Sequence, residues 1–406
     1  MKFDVDKGAD HTKRCLIVIR PDSGLNKELK MVKILYMIDD LKFGGAQRQI
    51  VELIKNVNRS WIEPNLLVYH QERIHADEIL SKKIQIDCIP KSFKFSLWYL
   101  IRLINYIKQN RPDIIHSFTE TANFWARVGG KLCGCQIIIT SIRSSAIRFP
   151  YVEKYISNLS SKIILNSDIT RKILTGLGVE PNKMVTIQNG VDTLRFTPAS
   201  TTDKKRFRIE YGLPVEQKIF SLIGQFRLMK NHNCLIDSLI IMRERGDKLP
   251  IVLFIGKDFD KILYQKLVDR VNRDNLSFNV RFIQPDPSIE KIYSLSDCIL
   301  LPSLWEGCSN VLLESMSSGV PVLCSDIPEN SCLVENGKQG ILFKNNDERM
   351  LATSIRNMLD FSDEAMGKMG QEGRKCVQEQ YSVEKMASLT ETIYQEELSK
   401  RGAMKM

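Results

Sequence analysis

Residues 301–319 read LPSLWEGCSNVLLESMSSG, an order of residue types that sets out a strand, a loop and a short helix. The strand ends at Pro302, and the loop carries Glu306 and Gly307. Ser309 is a strong N-cap for a helix NVLLESMS that stops at Gly319. Such a helix start offers the backbone N–H groups of Asn310, Val311 and Leu312 to an anion. Two carboxylates flank that start, Glu306 before it and Glu314 within it, with seven residues between them. An ionised carboxylate can accept two hydrogen bonds from a vicinal diol, such as that of a ribose or a sugar ring. Phosphate on the helix end with carboxylates on two sugars would fit a nucleoside diphosphate sugar. On residue types alone, an ordinary strand–loop–helix with a capping glutamate is the stronger reading.

The same strand-then-helix order repeats on both sides of this stretch. KIFSLIG (218–224), PIVLFIG (250–256), NVRFI (279–283), DCILLPS (297–303) and VPVLCS (320–325) read as buried strands, each followed by a helical or loop segment. An earlier series begins with VKILYMI at 32–38. It continues through NLLVY (65–69), PDIIH (112–116), QIIITS (136–141), KIILN (162–166) and MVTIQ (184–188). Helical patterns fall near 46–57, 95–110, 121–134 and 151–160. Short, apolar, β-branched runs alternating with helices imply parallel, doubly wound sheets. The polar, turn-rich stretch 190–215 suits a linker between the two series. The tail from about 347 to 400 reads as helix with no further strand. The expectation is therefore an α/β chain of two Rossmann-like domains whose parallel sheets face a central cleft. The extension is 1–30, the domains are 31–200 and 201–380, and a C-terminal helix occupies 381–406.

With 406 residues, 43% hydrophobic and 26% charged, the chain is ordinary for a soluble two-domain protein. No apolar run reaches the length of a membrane span, and the polar N-terminus lacks a secretory signal. The ten cysteines include no Cys-x-x-Cys pair and no zinc-ligand spacing with histidine, which fits reduced thiols in the cytoplasm. Charge is uneven. Residues 1–200 hold 30 Lys and Arg against 19 Asp and Glu, while the remainder hold 28 against 29. A basic first half suits an anionic partner: a phosphate-bearing substrate, an anionic membrane surface or nucleic acid. A solvated basic surface is an equal alternative.

The stretch 302–326, PSLWEGCSNVLLESMSSGVPVLCSD, resembles the Glu-x7-Glu motif of retaining GT-B glycosyltransferases of glycosyltransferase family 4. Further pieces of that family's pattern stand in order: GGAQR at 44–48, NSDITRKILTGLG at 166–178, IQNGVDTLRFTP at 187–198, GQFRLMKNH at 224–232 and ENGKQGILF at 335–343. The resemblance covers about residues 31–400. It implies that Glu314 binds the donor ribose and that Glu306 lies beside the transferred sugar. Backbone groups from Gly307 through Ser309 and Asn310 to Val311 would hold sugar hydroxyls and the β-phosphate. Lys230 matches the lysine that neutralises the leaving diphosphate. The family's arginine position holds Gln225 here, so Arg227 is expected to substitute. Gly44 and Gly45 would face the diphosphate from across the cleft. His116 stands where relatives carry the first histidine of a His-x-His pair, and Phe118 replaces the second, which puts a catalytic His116 in doubt. Arg143 would bind an acceptor phosphate or serve as a plain surface arginine.

Retention in that family is ascribed to attack by the acceptor on the face that the leaving group vacates. The resemblance thus implies no cofactor and, with no Asp-x-Asp pair at a strand end, no metal. The absence of a Gly-x-Gly-x-x-Gly fingerprint argues against NAD. The implied partners are a nucleotide-sugar donor, UDP-linked by expectation, and a glycan or lipid-linked acceptor of surface polysaccharide or lipopolysaccharide type. Residues 91–111, KSFKFSLWYLIRLINYIKQNR, combine Phe93, Phe95, Trp98 and Tyr99 with basic residues. They read as a core helix with a basic edge or as an interfacial helix. The enzyme is therefore expected in the cytoplasm, with an anionic membrane as a possible surface partner and no nucleic acid. A nucleotide-sugar 2-epimerase and a non-enzymatic basic binding protein are the competing readings.

Overall fold

The computed structural model describes residues 31–42, 44–70, 75–90, 97–144, 147–258, 260–285 and 288–403. The expected extension 1–30, together with Phe93 and Phe95, lies outside them.

The first sheet is built from β1 (Val32–Ile38), β2 (Ile62–Val68), β3 (Gln85–Cys88), β4 (Ile114–Phe118), β5 (Ile137–Ile142), β6 (Lys162–Leu165) and β7 (Met184–Thr186). Its order is β3-β2-β1-β4-β5-β6-β7, all parallel. The second sheet contains β8 (Ile219–Ile223), β9 (Ile251–Ile255), β10 (Val280–Ile283), β11 (Cys298–Leu301), β12 (Val322–Asp326) and β13 (Gly340–Lys344). Its order is β10-β9-β8-β11-β12-β13, again parallel. Helices cover both faces of each sheet, so central strands such as β4, β5, β8 and β9 are buried along their full length. Chain order reverses between β1 and β4 and again between β8 and β11, which opens a crevice at the strand C-termini of each domain.

Two strands escaped the sequence reading, both at sheet edges. β3 (QIDC) has no buried residue, and β13 (GILFK) is buried at only two of its five positions. An edge strand covered on few sides shows no continuous apolar run. β2 starts before the expected NLLVY and includes Pro64. It pairs with β3 only from Asn65 onward, so the missing proline N–H falls outside that ladder. The expected linker 190–215 is partly ordered, since Ser200 caps a helix at Thr201–Glu210. That helix is polar and anchored by a buried Arg208, which donates to the carbonyls of Leu295, Val215 and Gln217 and to Asp297.

The chain crosses between domains twice, and the crossings bond to each other. Val191 N donates to Tyr381 O at 2.9 Å, and Val383 N donates to Val191 O at 3.1 Å. Gly190 must be glycine here, because a Cβ would stand 2.8 Å from Val383 Cα. The C-terminal helix, Val383–Ala403, then returns to the first domain. Its Met386, Ala387, Ile393 and Tyr394 pack into the core beneath β1 with Ile34 and Tyr36.

Candidate active site

The strand C-termini of the two sheets face one cavity of about 570 Å³. The first domain contributes Gly44, Gly45, Gln47, Arg48 and His75 to its walls. The second contributes Gly224, Gln225, Arg227 and Lys230 from the loop after β8, and Gly256 and Lys257 from the loop after β9. Beyond β11 come Glu306, Ser309, Asn310, Val311 and Glu314.

The helix beyond β11 spans Asn310–Ser317, with Ser309 as its N-cap. Ser309 Oγ accepts the Leu312 N–H at 3.4 Å, so that amide is already engaged and the Leu312 side chain is fully buried. Leu312 is thus corrected from a ligand contact to part of the cap. The amides of Asn310 and Val311 lie ahead of the first intrahelical bond, from Leu313 N to Ser309 O. They present positive partial charge at the cavity wall.

Lys230 Nζ lies 2.6 Å from Glu306 Oε1, and Ser303 Oγ donates to the same oxygen at 2.7 Å. Glu306 is 7% exposed, so the pair is fixed in a partly desolvated wall. Gly224 makes the lysine's path possible, since a Cβ there would sit 3.0 Å from Lys230 Cε. Glu314 Oε2 accepts from Tyr293 OH at 2.6 Å. Burial raises the Glu314 pKa above the usual carboxylate range, against the opposing Tyr293 hydrogen bond and the charges of Arg48 and Arg195. Tyr293 is held edge-on by Phe196, whose ring lies 5.6 Å away. Arg195 donates to Glu290 Oε2 from Nε at 3.2 Å and from Nη2 at 3.1 Å. Partial desolvation also lowers the pKa of the otherwise exposed Arg227.

Asn310 joins the two halves of the cleft. Its Oδ1 accepts from Asn189 Nδ2 at 2.6 Å and from Gln49 Nε2 at 3.2 Å, and its Nδ2 donates to Gly45 O at 3.4 Å. Gln49 also accepts from Gly190 N and donates to Gly190 O, both at 2.9 Å. The Gly44–Gly45 loop, the interdomain crossing and the start of the Glu314 helix therefore form one bonded unit.

Besides Leu312, three expected residues fall outside the cavity wall. His116 is fully buried in β4. Its Nδ1 lies 2.6 Å from Tyr394 OH and its Nε2 2.9 Å from Ser141 Oγ. Burial holds its pKa well below the usual imidazole value, with the Arg143 charge adding to the shift. His116 is thereby corrected from catalytic candidate to core residue: both ring nitrogens are engaged within the first domain. Gly307 faces the first domain instead of the cavity, and a Cβ there would meet Arg143 O at 2.7 Å. Arg143 donates from Nη1 to Asn189 Oδ1 at 3.1 Å and to Ile187 O at 3.4 Å, and lies over Phe118. Burial brings its pKa down to about 10. It is part-buried and does not form a wall of this cavity.

The sequence reading did not single out Arg48, His75, Arg195, Gly256 or Lys257. Arg48 and Arg195 lay inside the quoted GGAQR and LRFTP stretches. Gly256 ends and Lys257 follows the recognised stretch PIVLFIG, at the strand C-terminal edge where ligands of such sheets bind. Tyr293 carried no local signal, because its role depends on Glu314 arriving from another helix.

Two sequence-family models match the chain, Glycosyltransferase Family 4 over residues 43–195 and Glycosyl transferases group 1 over residues 203–376. The UDP-Gal:alpha-D-GlcNAc-diphosphoundecaprenol alpha-1,3-galactosyltransferase of Escherichia coli is 24% identical over 309 residues, 73% of this chain and 78% of that one. The N-acetyl-alpha-D-glucosaminyl L-malate synthase of Bacillus anthracis is 26% identical over 302 residues, 72% of this chain and 77% of that one. The structure of Anabaena Alr3699/HepE in complex with UDP and glucose superposes with a TM-score of 0.79 at 17% identity, covering 90% of this chain and all of that one. The ordered motifs, the two facing sheets and these matches agree: the chain belongs to glycosyltransferase family 4 and has the GT-B fold.

Proposed function

We propose that this glycosyltransferase moves a sugar, with retention, from a UDP-sugar to a glycan or lipid-linked acceptor of the kind used in surface polysaccharide or lipopolysaccharide synthesis. The observation that carries this reading is the cavity wall itself. A fixed Lys230–Glu306 pair, an open helix start and the part-buried Glu314 line one space of about 570 Å³ opposite the Gly44–Gly45 loop. The relative from Escherichia coli is named for a UDP-galactose donor and a diphosphoundecaprenol acceptor, and the Anabaena neighbour was solved with UDP. Both names support a uridine donor.

In this reading Glu314 accepts the ribose hydroxyls, and the Asn310 and Val311 amides take the β-phosphate. The bond from the sugar C1 to the β-phosphate oxygen breaks as the acceptor oxygen bonds to C1 on the same face. The acceptor proton passes to the departing phosphate oxygen. Lys230 and Arg227 meet the charge that grows on the diphosphate, a preorganised electrostatic role that leaves no task for a metal. Glu306 holds Lys230 in place and faces the transferred sugar.

A thermal-shift panel of UDP-, GDP- and ADP-sugars tests the donor. A ligand at 100 times its dissociation constant stabilises by about 2.7 kcal/mol, and only UDP-sugars are expected to do so at micromolar levels. Isomerised UDP-N-acetylglucosamine in the absence of any acceptor would instead favour the 2-epimerase.

A further inference from the structure

Two helices of the first domain expose the same apolar pattern. Leu97, Trp98 and Ile101 stand at positions i, i+1 and i+4 of helix Leu97–Asn110, and Tyr151, Val152 and Tyr155 repeat that spacing in helix Pro150–Ile156. Trp98, Tyr151 and Tyr155 are 75%, 77% and 72% exposed, values at which side chains of this size contact almost nothing of their own chain. The two helices flank a third, Glu120–Leu132, on one face of the sheet. Tyr99 packs edge-on against Trp125 at 4.9 Å on one side, and Arg127 pairs with Glu153 at 2.7 Å on the other. A mostly apolar recess of about 80 Å³, walled by Phe124, Trp125, Phe149 and Val152 together with Glu120 and the Arg127-paired Glu153, opens between helices Glu120–Leu132 and Pro150–Ile156.

Charge selects the occupant. Helix Leu97–Asn110 contains no Asp or Glu and exposes Arg102 and Lys108. Helix Pro150–Ile156 exposes Lys154, while its Glu153 is buried against Arg127. A second copy docked face to face would oppose cation to cation. An anionic lipid surface complements both the charge and the exposed Trp and Tyr, whose amphipathic rings favour the headgroup layer. Position agrees with this. Helix Leu97–Asn110 runs back toward the start of β4, and helix Pro150–Ile156 follows β5, so both begin at the strand C-terminal edge that faces the cleft.

We propose that this aromatic, basic ridge docks the enzyme on the headgroup layer of an anionic bilayer, with the cleft mouth beside the surface. The inference rests on the reading of a lipid-linked acceptor, whose sugar head would then enter the cleft without its lipid leaving the bilayer.

The test uses the full chain with vesicles of phosphatidylglycerol and phosphatidylethanolamine, and with vesicles of phosphatidylcholine alone. Wild type should co-sediment with the anionic vesicles, less as salt rises. The triple variant Trp98→Ser, Tyr151→Ser, Tyr155→Ser should lose affinity by at least about tenfold. UDP binding serves as the control for folding and should be unchanged. Should the triple variant fail to fold, Arg102→Glu with Lys154→Glu should lower binding in the same way. Brominated lipid should quench wild-type tryptophan emission more than that of Trp98→Phe. Equal vesicle binding by the wild type and the folded variant, or no binding by the wild type, would overturn the proposal. So would a wild-type dimer that the triple variant splits. Vesicle binding through this ridge by a protein that binds no nucleotide sugar would uphold the docking and remove the transferase reading instead.

Discussion

Asn189 donates a 2.6 Å hydrogen bond to Oδ1 of Asn310, across 121 positions of sequence and from one domain to the other. Asn189 adjoins Gly190, where the chain begins its crossing, and Asn310 is the first residue of the helix that carries Glu314. The angle between the domains and the aim of that helix are therefore set by the same contact. Arg143 reinforces it from the far side by donating to Asn189 Oδ1 at 3.1 Å.

Gln49 holds the same unit from the Gly45–Asn56 helix and is 2% exposed. Gln49→Leu keeps the volume and strands the N–H and C=O of Gly190. It should cost about 1–3 kcal/mol in urea unfolding and weaken UDP binding, since the helix start loses one anchor. Gln49→Glu retains the acceptor for Gly190 N–H and should bind UDP better than the leucine variant. Wild-type affinity in a destabilised Gln49→Leu would separate the clasp from the site.

In the proposed mechanism the Lys230 charge is needed most as the diphosphate departs, so Lys230→Ala should lower turnover by about a hundredfold or more, a larger effect than the destabilisation from leaving Glu306 without its partner. Arg227→Ala should act in the same direction, and Gln225→Ala should be mild. Activity should also survive excess EDTA, which tests whether these cations suffice. A harmful Gln225→Ala beside a neutral Arg227→Ala would return the role to position 225.

Much of this site could be read from the chain because its parts are local. A strand end, a capping serine and two glutamates lie within fourteen positions of one another, and burial in a parallel sheet writes itself as apolar runs. What could not be read depends on contacts between distant segments. His116 sits at a switch-point strand in sequence, but the returning Tyr394, 278 positions on, claims its Nδ1. Arg143 follows a switch-point strand in sequence, but Asn189 and Ile187, 44 to 46 positions on, engage its Nη1. Edge strands β3 and β13 lack the burial that makes a strand visible.

His116→Phe should destabilise by about 1–3 kcal/mol, since it leaves the buried hydroxyls of Tyr394 and Ser141 without their ring partner. Turnover of the folded variant should stay within about threefold of wild type, because general acid–base catalysts contribute about a hundredfold or more and His116 is not one in this structure. A hundredfold loss in a stable variant would restore a catalytic role.

If Glu314 holds the donor ribose as proposed, its raised pKa gives donor binding a pH dependence with a definite sign. In the proposed donor site its ionised carboxylate offers both oxygens as acceptors to the ribose diol, and protonation turns one of them into a donor and weakens the other as an acceptor. Burial pushes its pKa above the ordinary glutamate value, so that capacity is lost at a higher pH than for an exposed glutamate as acid is added. UDP affinity should therefore be constant near neutrality and fall as pH drops through a midpoint above the usual carboxylate range. Tyr293→Phe removes the 2.6 Å hydrogen bond that favours the ionised form and should move this midpoint further up. Glu314→Gln keeps an acceptor oxygen without a titrating group. It should bind UDP more weakly at pH 7, by roughly 1.5–3 kcal/mol, and flatten the profile. Calorimetry across pH on the three proteins decides the matter. A fall of the same midpoint in Glu314→Gln would assign the titration to another group, and an unchanged midpoint in Tyr293→Phe would remove that hydroxyl from control of the ribose contact.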